Sequence, residues 1–449
     1  MNGRRRSPAS RWGTADIAVA PIPRREGERP RRPGGRGDPA PGRRTLVGYL
    51  LVPRPGDAVK GLLMPVVFGL GALAAGMPDR DAVLRAAVVW VALELLVYPA
   101  RYQWNDVRGF VADQLHPGGK DRGRLPGPLE RGRRHVTASC LVALARLAAV
   151  AGLALLLPDL RLGGVLATVT AAVFGIAVVY EALRAGGTGR TGRVPSPPRP
   201  GVVALWVVVG AGYVVRGMAG LAMAVDLGGH RAAAVAAGVA LWAFGIAFAT
   251  SRWALEATAF ARVDGGRLVW TARAEQAREH LLGLVRWLPS RTAERDPANW
   301  AALRGRTAPT APWNVALVVA GAAAASAGRL LTGPAPAAHV VVVAVVGGVA
   351  AAGSGLVPRG RAAVVLAGAA VLVAALLLTG APRPLPAVLP WLAVMLAHLV
   401  FSGGRLATIG RPARHVRSAA AAVLTPVARA AIGRATWDAV LGTEGRGPR

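Results

Sequence analysis

Apolar residues in this chain come in continuous blocks rather than at the period of 3.6 or 2 that a half-buried helix or strand imposes. The blocks run at 59–76, 82–100, 136–157, 162–180, 201–226, 232–250, 314–333, 336–357, 362–381 and 386–402. Each is close to the roughly 20 residues a helix needs to cross about 30 Å of hydrocarbon. The pattern predicts an all-α, polytopic membrane bundle of nine or ten transmembrane helices. The tenth block is short and carries Pro386 and Pro390, so it reads as crossing, re-entrant or interfacial.

The polar segments divide the chain into a basic, disordered tail at 1–44, a membrane domain at 45–402 and a basic tail at 403–449. Within the last, the stretch from Val416 to Leu441 reads either as an amphipathic helix on an anionic leaflet or as a solvated tail. Arg-rich segments follow the second, fourth and sixth blocks, whereas the turns near 77–81, 158–161, 227–231 and 334–335 carry few cations. By the positive-inside rule this asymmetry places the N-terminus and the Arg-rich loops in the cytoplasm, as expected of a multi-pass inner-membrane protein. The two long loops lie four helices apart, which suggests two pseudo-repeated halves around a cytoplasm-facing cavity.

Composition sharpens the picture at two points. Of 449 residues, 53% are hydrophobic but only 5% aromatic, a lipid-facing mixture of Ala, Val, Leu and Gly. The formal net charge of +31 invites a nucleic-acid reading. Its arginines alternate with membrane-length blocks, however, so membrane lipids and not nucleic acid are the expected partners. The single Cys140 reads as a small hydrophobe, and the seven histidines show no metal-ligand spacing.

Candidate chemistry begins where the second block meets water, in the run from Tyr102 to Asp113. If the helix continues, Asn105, Asp106 and Asp113 share one face, because seven or eight residues make about two turns. Oxygen donors in such a stripe suit Mg²⁺ bridging substrate phosphates. The segment that follows supplies Lys120, Arg122 and Arg124, cations suited to the far side of a diphosphate. Arg216 lies inside an apolar block and either faces a cavity or partner, or snorkels to the interface. Glu94 is a second ionisable group within a block, while Arg146 and Arg329 read as helix-packing or snorkelling residues.

These residues resemble the UbiA superfamily of intramembrane prenyltransferases, whose first motif runs Asn-Asp-x-x-Asp-x-x-x-Asp and is followed by Arg-Pro-Leu-Pro. Asn105, Asp106 and Asp113 match the first, second and last metal-binding positions, and Gly109 stands at the middle Asp. Arg124, Leu125 and Pro126 match the later signature. The second motif, Tyr-Ala-x-x-Asp-x-x-x-Asp, is similar to Phe248 to Glu256, with Arg252 at the first Asp and Glu256 at the second.

The resemblance implies Mg²⁺-assisted ionisation of a prenyl diphosphate and transfer of the prenyl group to a lipophilic or aromatic acceptor. Asn105, Asp106, Asp113 and Glu256 would hold the metal. Lys120, Arg122, Arg124, Arg216 and Arg252 would bind the diphosphate. A terpene cyclase on the same scaffold, a transporter and an inactive binding relative are the alternatives. Two local readings accompany the second motif. Its helix extends to Asp264, placing Glu256 and Asp264 on one face, and an Arg252 to Glu256 pair one turn apart is the plainer role for those two residues. Thr271 to Leu288 has helical spacing and reads as a lid or as a surface helix in the interface.

Overall fold

The computed structural model describes residues 45–115, 124–127, 132–190, 192–271, 277–295, 297, 303, 307–402 and a few positions between 422 and 433. Ten helices are long and apolar enough to cross a membrane. They are α1 (Leu46–Ala75), α2 (Arg80–Gln114), α3 (Gly132–Leu156), α4 (Gly163–Gly186) and α5 (Pro200–Ala224), followed by α6 (Arg231–Phe260), α7 (Pro312–Leu331), α8 (Ala337–Leu356), α9 (Pro358–Leu378) and α10 (Pro384–Phe401). The chain is a multi-pass membrane protein. The tenth block forms a continuous helix despite Pro390. The tail at 1–44, nearly all of 403–449, and Lys120 and Arg122 lie outside the described residues.

Departures from regular helical geometry in α1 and α2 bear on the site. In α1, residues Pro55–Leu62 form a 3₁₀ segment, started by Pro55, whose ring presets φ. In α2, Ala92–Val97 is a π-helical turn, after which the α-helix resumes at Tyr98 and runs to Leu115. The motif from Tyr102 to Asp113 is therefore helical, as its spacing predicts.

The packing centres on α6 and α7, which lie along one another, with α8 and α10 also packed on α7, α5 on α6, α1 on α5, and α10 touching α6 and α1 as well. One apolar core joins α6 to α10 and a second joins α2, α4 and α5. Small residues bring backbones together, the usual device where lipid supplies no hydrophobic drive between helices. Gly321 on α7 faces Gly347 on α8, and the Trp391 indole of α10 donates to the Gly347 carbonyl at 2.9 Å. A Cβ on Gly347 would stand 2.7 Å from the Ala325 methyl and 2.9 Å from the Gly321 carbonyl. Gly347→Leu should therefore overpack this contact and lower stability by about 1–3 kcal/mol. Unfolding in detergent checks this, and an unchanged midpoint would refute it.

Some hydroxyls inside the spans bond back to their own helix: Thr250 donates to the Ile246 carbonyl at 2.7 Å and Thr379 to that of Ala375 at 2.7 Å. Arg329 is buried but donates to the carbonyls of Gly333 and Pro334 at 3.2 and 3.4 Å, closing the end of α7. Arg146 ties α3 to Gln103 and to the carbonyls of Leu50 and Leu51.

Two expectations fail after α6. The regular helix stops at Ala257, passes through a 3₁₀ turn and enters the strand β1 (Ala261–Asp264), which pairs antiparallel with β2 (Arg267–Trp270). Glu256 and Asp264 thus share no helical face. The reason is Gly265-Gly266 with φ of +52° and +74°, the two-residue turn that fits hairpin twist, flanked by β-branched Val263 and Val269. Among the described residues, the stretch to Leu288 forms no surface helix. Its described part is a four-residue helix, Glu279–Leu282, and a 3₁₀ turn, Gly283–Trp287, with Leu281, Leu282, Leu284 and Val285 buried. Glu279 accepts from the Gly189 amide at 2.9 Å and the Trp206 indole donates to the His280 carbonyl at 2.9 Å, so this stretch is wedged against the α4–α5 connection and α5.

Candidate functional site

The extension of α2 beyond the apolar block carries the motif. Asn105 and Asp106 are buried, Asp106 completely. Asp106 Oδ1 accepts from Arg54 Nε at 3.1 Å and from Arg124 Nη1 at 2.9 Å, and Arg54 Nη2 also contacts it. Arg54 comes from the bend before the 3₁₀ segment of α1, and Arg124 from the described part of the α2–α3 connection. Two guanidiniums thus converge on one carboxylate, one from 52 positions before it and one from 18 positions after it. Charge-assisted contacts of this kind are the strong class of hydrogen bond.

Asn105 extends the network. With its amide oxygen facing Arg54 and its nitrogen facing Glu181 of α4, both ends are satisfied. Glu181 also pairs with Arg184 at 2.8 Å and Arg108 at 3.5 Å. Arg124 Nε lies 4.0 Å from Asp113. Burial works against the Arg124 cation, but Asp106, Asp113, Asp57 and Glu256 outweigh it and raise its pKa above the ordinary arginine value. This side chain is therefore always charged, and Glu256 belongs to its field even though it lies on α6.

Aromatic rings carry the rest of the cations. Arg54 and Arg101 lie over Tyr102 at 4.8 and 5.4 Å, and Arg101 and Arg184 flank Tyr180 at 5.9 and 6.0 Å. Arg216 is buried, not snorkelling. It binds Glu94 at 2.8 and 3.3 Å, reaches the Tyr102 hydroxyl at 3.2 Å and sits 3.2 Å from the Tyr98 ring centre. Tyr102 links this deeper pair to Arg54. Arg252 is turned elsewhere: it donates to the Phe401 carbonyl at the end of α10 at 2.5 Å and lies over Phe248 at 5.6 Å.

Beside the cluster is an apolar cavity of about 370 Å³. Its walls come from α1, α5, α6, α7 and α10, with Tyr213, Phe244, Phe248 and Phe401 as aromatic surface. Lys60 is the one charged residue among its described lining. Its ammonium binds Asp57 at 2.5 Å and faces the Tyr213 and Phe248 rings at about 6 Å. The cavity runs along α1 from Val59 to Gly71, roughly 18 Å at the helical rise.

Of the residues named from sequence, Asn105, Asp106, Asp113, Arg124 and Glu256 gather in one electrostatic cluster, Arg216 joins it through Tyr102, and Arg252 contacts Phe248 and Phe401, two residues of the cavity wall. Arg54, Asp57 and Arg101 were not singled out. Their signal is the charged run Arg54-Pro55-Gly56-Asp57 at the head of an apolar block, and an arginine at the foot of the next.

Mg²⁺ is implied by the resemblance alone. Asp106 Oδ1 already carries two guanidiniums, the Asn105 oxygen faces one of them, and the described residues contain no group of three His, Cys, Asp or Glu side chains able to hold a metal ion. Of the Asn105 and Asp106 oxygens, only Asp106 Oδ2, buried near Tyr49, faces no guanidinium. One such oxygen falls short of the set a divalent cation needs. The residues as arranged do not fit a resident Mg²⁺. No protein-family model, curated protein or solved structure matches the chain.

Proposed function

We propose that this protein is an intramembrane enzyme that ionises an allylic prenyl diphosphate and transfers the prenyl group to a lipophilic or aromatic acceptor, as members of the UbiA superfamily do. The observation that supports this reading is the junction of a buried cation cluster with an apolar cavity through Lys60. An amphiphile with a multiply charged phosphate head and a single apolar tail matches both parts. On this reading the cluster faces the cytoplasm of an inner membrane, the side to which the Arg-rich loops assign it, and the ten helices form two related halves.

In the reaction the carbon–oxygen bond to the diphosphate breaks, the electron pair leaves with the oxygen, and positive charge remains on the allylic carbon. Arg124 and Arg54 neutralise the leaving group where its charge develops, the stage at which electrostatic catalysis acts. The rings of Tyr213, Phe244 and Phe248 offer π-faces to the cation. That aromatic wall equally favours a second reading, a terpene cyclase that quenches the cation internally.

Membranes holding the protein, incubated with geranyl, farnesyl and geranylgeranyl diphosphates in the presence of Mg²⁺, should release diphosphate. Arg124→Met should slow release about 10²–10³-fold, the typical loss when one preorganised donor to a developing anion is removed. Equal release by both proteins would sink the enzyme reading. A hydrocarbon product formed without added acceptor selects the cyclase.

A further inference from the structure

The position of Arg54 carries a further inference, which rests on the proposed diphosphate chemistry. Asn105 and Asp106 are the innermost oxygen donors of the α2 stripe, and both turn those oxygens to one guanidinium. Arg54 is itself fixed: its side chain is 11% exposed, its planar face lies over Tyr102, and Pro55 begins the 3₁₀ segment directly after it. Arg124 closes on the same Asp106 oxygen from the other side. Gly109, one turn along the stripe, adds no carboxylate, and a Cβ there would lie 3.2 Å from Asp113 Oδ2. The outer carboxylate, Asp113, faces Arg124. The stripe therefore supplies few negative charges, and guanidiniums already answer them.

We propose that Arg54 is a built-in cation at the Asn105–Asp106 position, and that Arg54 and Arg124 together bind the substrate diphosphate without a divalent metal. Both retain the donors needed. Hydrogen bonds to the motif use Nε and Nη2 of Arg54 and Nη1 of Arg124, so each guanidinium keeps N–H groups for phosphate oxygens. Asp106 is the positioning residue: its single oxygen holds the two forks side by side, and bidentate forks are the arrangement that matches phosphate geometry. Arg108 and Arg184, neutralised in part by Glu181, keep the outer face of the stripe cationic.

The test uses the full-length chain in lipid nanodiscs and calorimetric titration with farnesyl diphosphate and with inorganic pyrophosphate, in Mg²⁺ buffer and after EDTA. Wild type should bind farnesyl diphosphate in EDTA within about threefold of its affinity in Mg²⁺, a difference under 1 kcal/mol. Arg54→Ala should lose about tenfold in EDTA, the worth of one charge-assisted contact, and regain most of it when Mg²⁺ is added. Bound Mn²⁺ detected by electron paramagnetic resonance gives a readout independent of turnover: absent in wild type, present in Arg54→Ala. Arg54→Lys keeps the charge but not the fork, and should bind in EDTA with intermediate affinity while folding as wild type does. Wild type that binds only with Mg²⁺, or that holds Mn²⁺, overturns the proposal while leaving the diphosphate reading intact. Binding in neither buffer overturns both.

Discussion

Glu94→Leu should lower stability by about 3–5 kcal/mol, the usual result of leaving one member of a buried ion pair alone. Arg216 is 3% exposed and lies within an apolar helix, where neither water nor headgroup can reach the guanidinium. Glu94 supplies two contacts, at 2.8 and 3.3 Å, and the remaining partners are the Tyr102 hydroxyl and the Tyr98 ring, neither of which carries a countercharge. The π-turn at Ala92–Val97 contains Glu94, and such single turns recur at functional sites because they re-aim a side chain. Close packing holds it there: a Cβ on Gly61 would stand 3.0 Å from Glu94 Oε2. Arg216→Met should cost less, because the Glu94 side chain left behind is 15% exposed whereas that of Arg216 is 4% exposed. Combining Glu94→Leu with Arg216→Met should recover most of the loss, since a buried pair replaced by apolar residues of similar size is often neutral. Chemical unfolding in mixed micelles of the four proteins gives the coupling energy. A double variant less stable than Glu94→Leu would refute the pairing argument.

The same pair shows what is legible in a sequence of this kind. Ten blocks of apolar residues are readable because a bilayer leaves a backbone no choice: every amide must bond within its own helix, and about 20 residues are needed to cross. Arg216 and Glu94 each stand out as ionisable groups within such blocks. Their pairing across 122 positions is invisible, because both interpretations of Arg216 rest on residues near it in sequence. Arg54 illustrates the same gap: its contact with Asp106 spans 52 positions, and Arg54 falls just before the apolar block that begins at 59. The spacing of the α2 stripe was readable because it is local, two turns of one helix.

Where local rules conflicted, the stronger one decided. Helical spacing from Glu256 to Asp264 yielded to Gly265-Gly266, because two successive residues at positive φ end any helix and close a hairpin. The Arg252 to Glu256 spacing suits a pair on an exposed helix, but Arg252 reaches the Phe401 carbonyl at 2.5 Å near the C-terminus of α10. A cation at unsatisfied terminal carbonyls gains from the helix dipole as well as from the hydrogen bond. In the stretch up to Leu288, apolar residues at helical spacing became buried wedge positions because Gly189 and Trp206 provide backbone and indole partners from elsewhere.

The depth of the cavity leads to the second large effect, on tail length. With carbon–carbon bonds of about 1.5 Å and four per repeat, an extended prenyl unit advances roughly 5 Å. A slot of roughly 18 Å along α1 then takes three to four units, the farnesyl to geranylgeranyl range. Leu70, Leu221 and Leu331 line the end away from Lys60, and Ala327 lies one turn nearer the head on α7. Ala327→Phe should fill the lower slot and reduce use of geranylgeranyl diphosphate about 10–200-fold relative to geranyl diphosphate, since misplacing a single methylene in an apolar pocket is worth that much. Leu331→Ala should act in the opposite direction and admit tails longer than wild type accepts. Competition assays with mixed chain lengths, scored as the ratio of kcat/KM values, separate a change in selectivity from a general loss of folded protein. If Ala327→Phe lowers all lengths equally, or if both variants keep the wild-type profile, the tail does not occupy this cavity, and the apolar slot must be separated from the cation cluster that adjoins it.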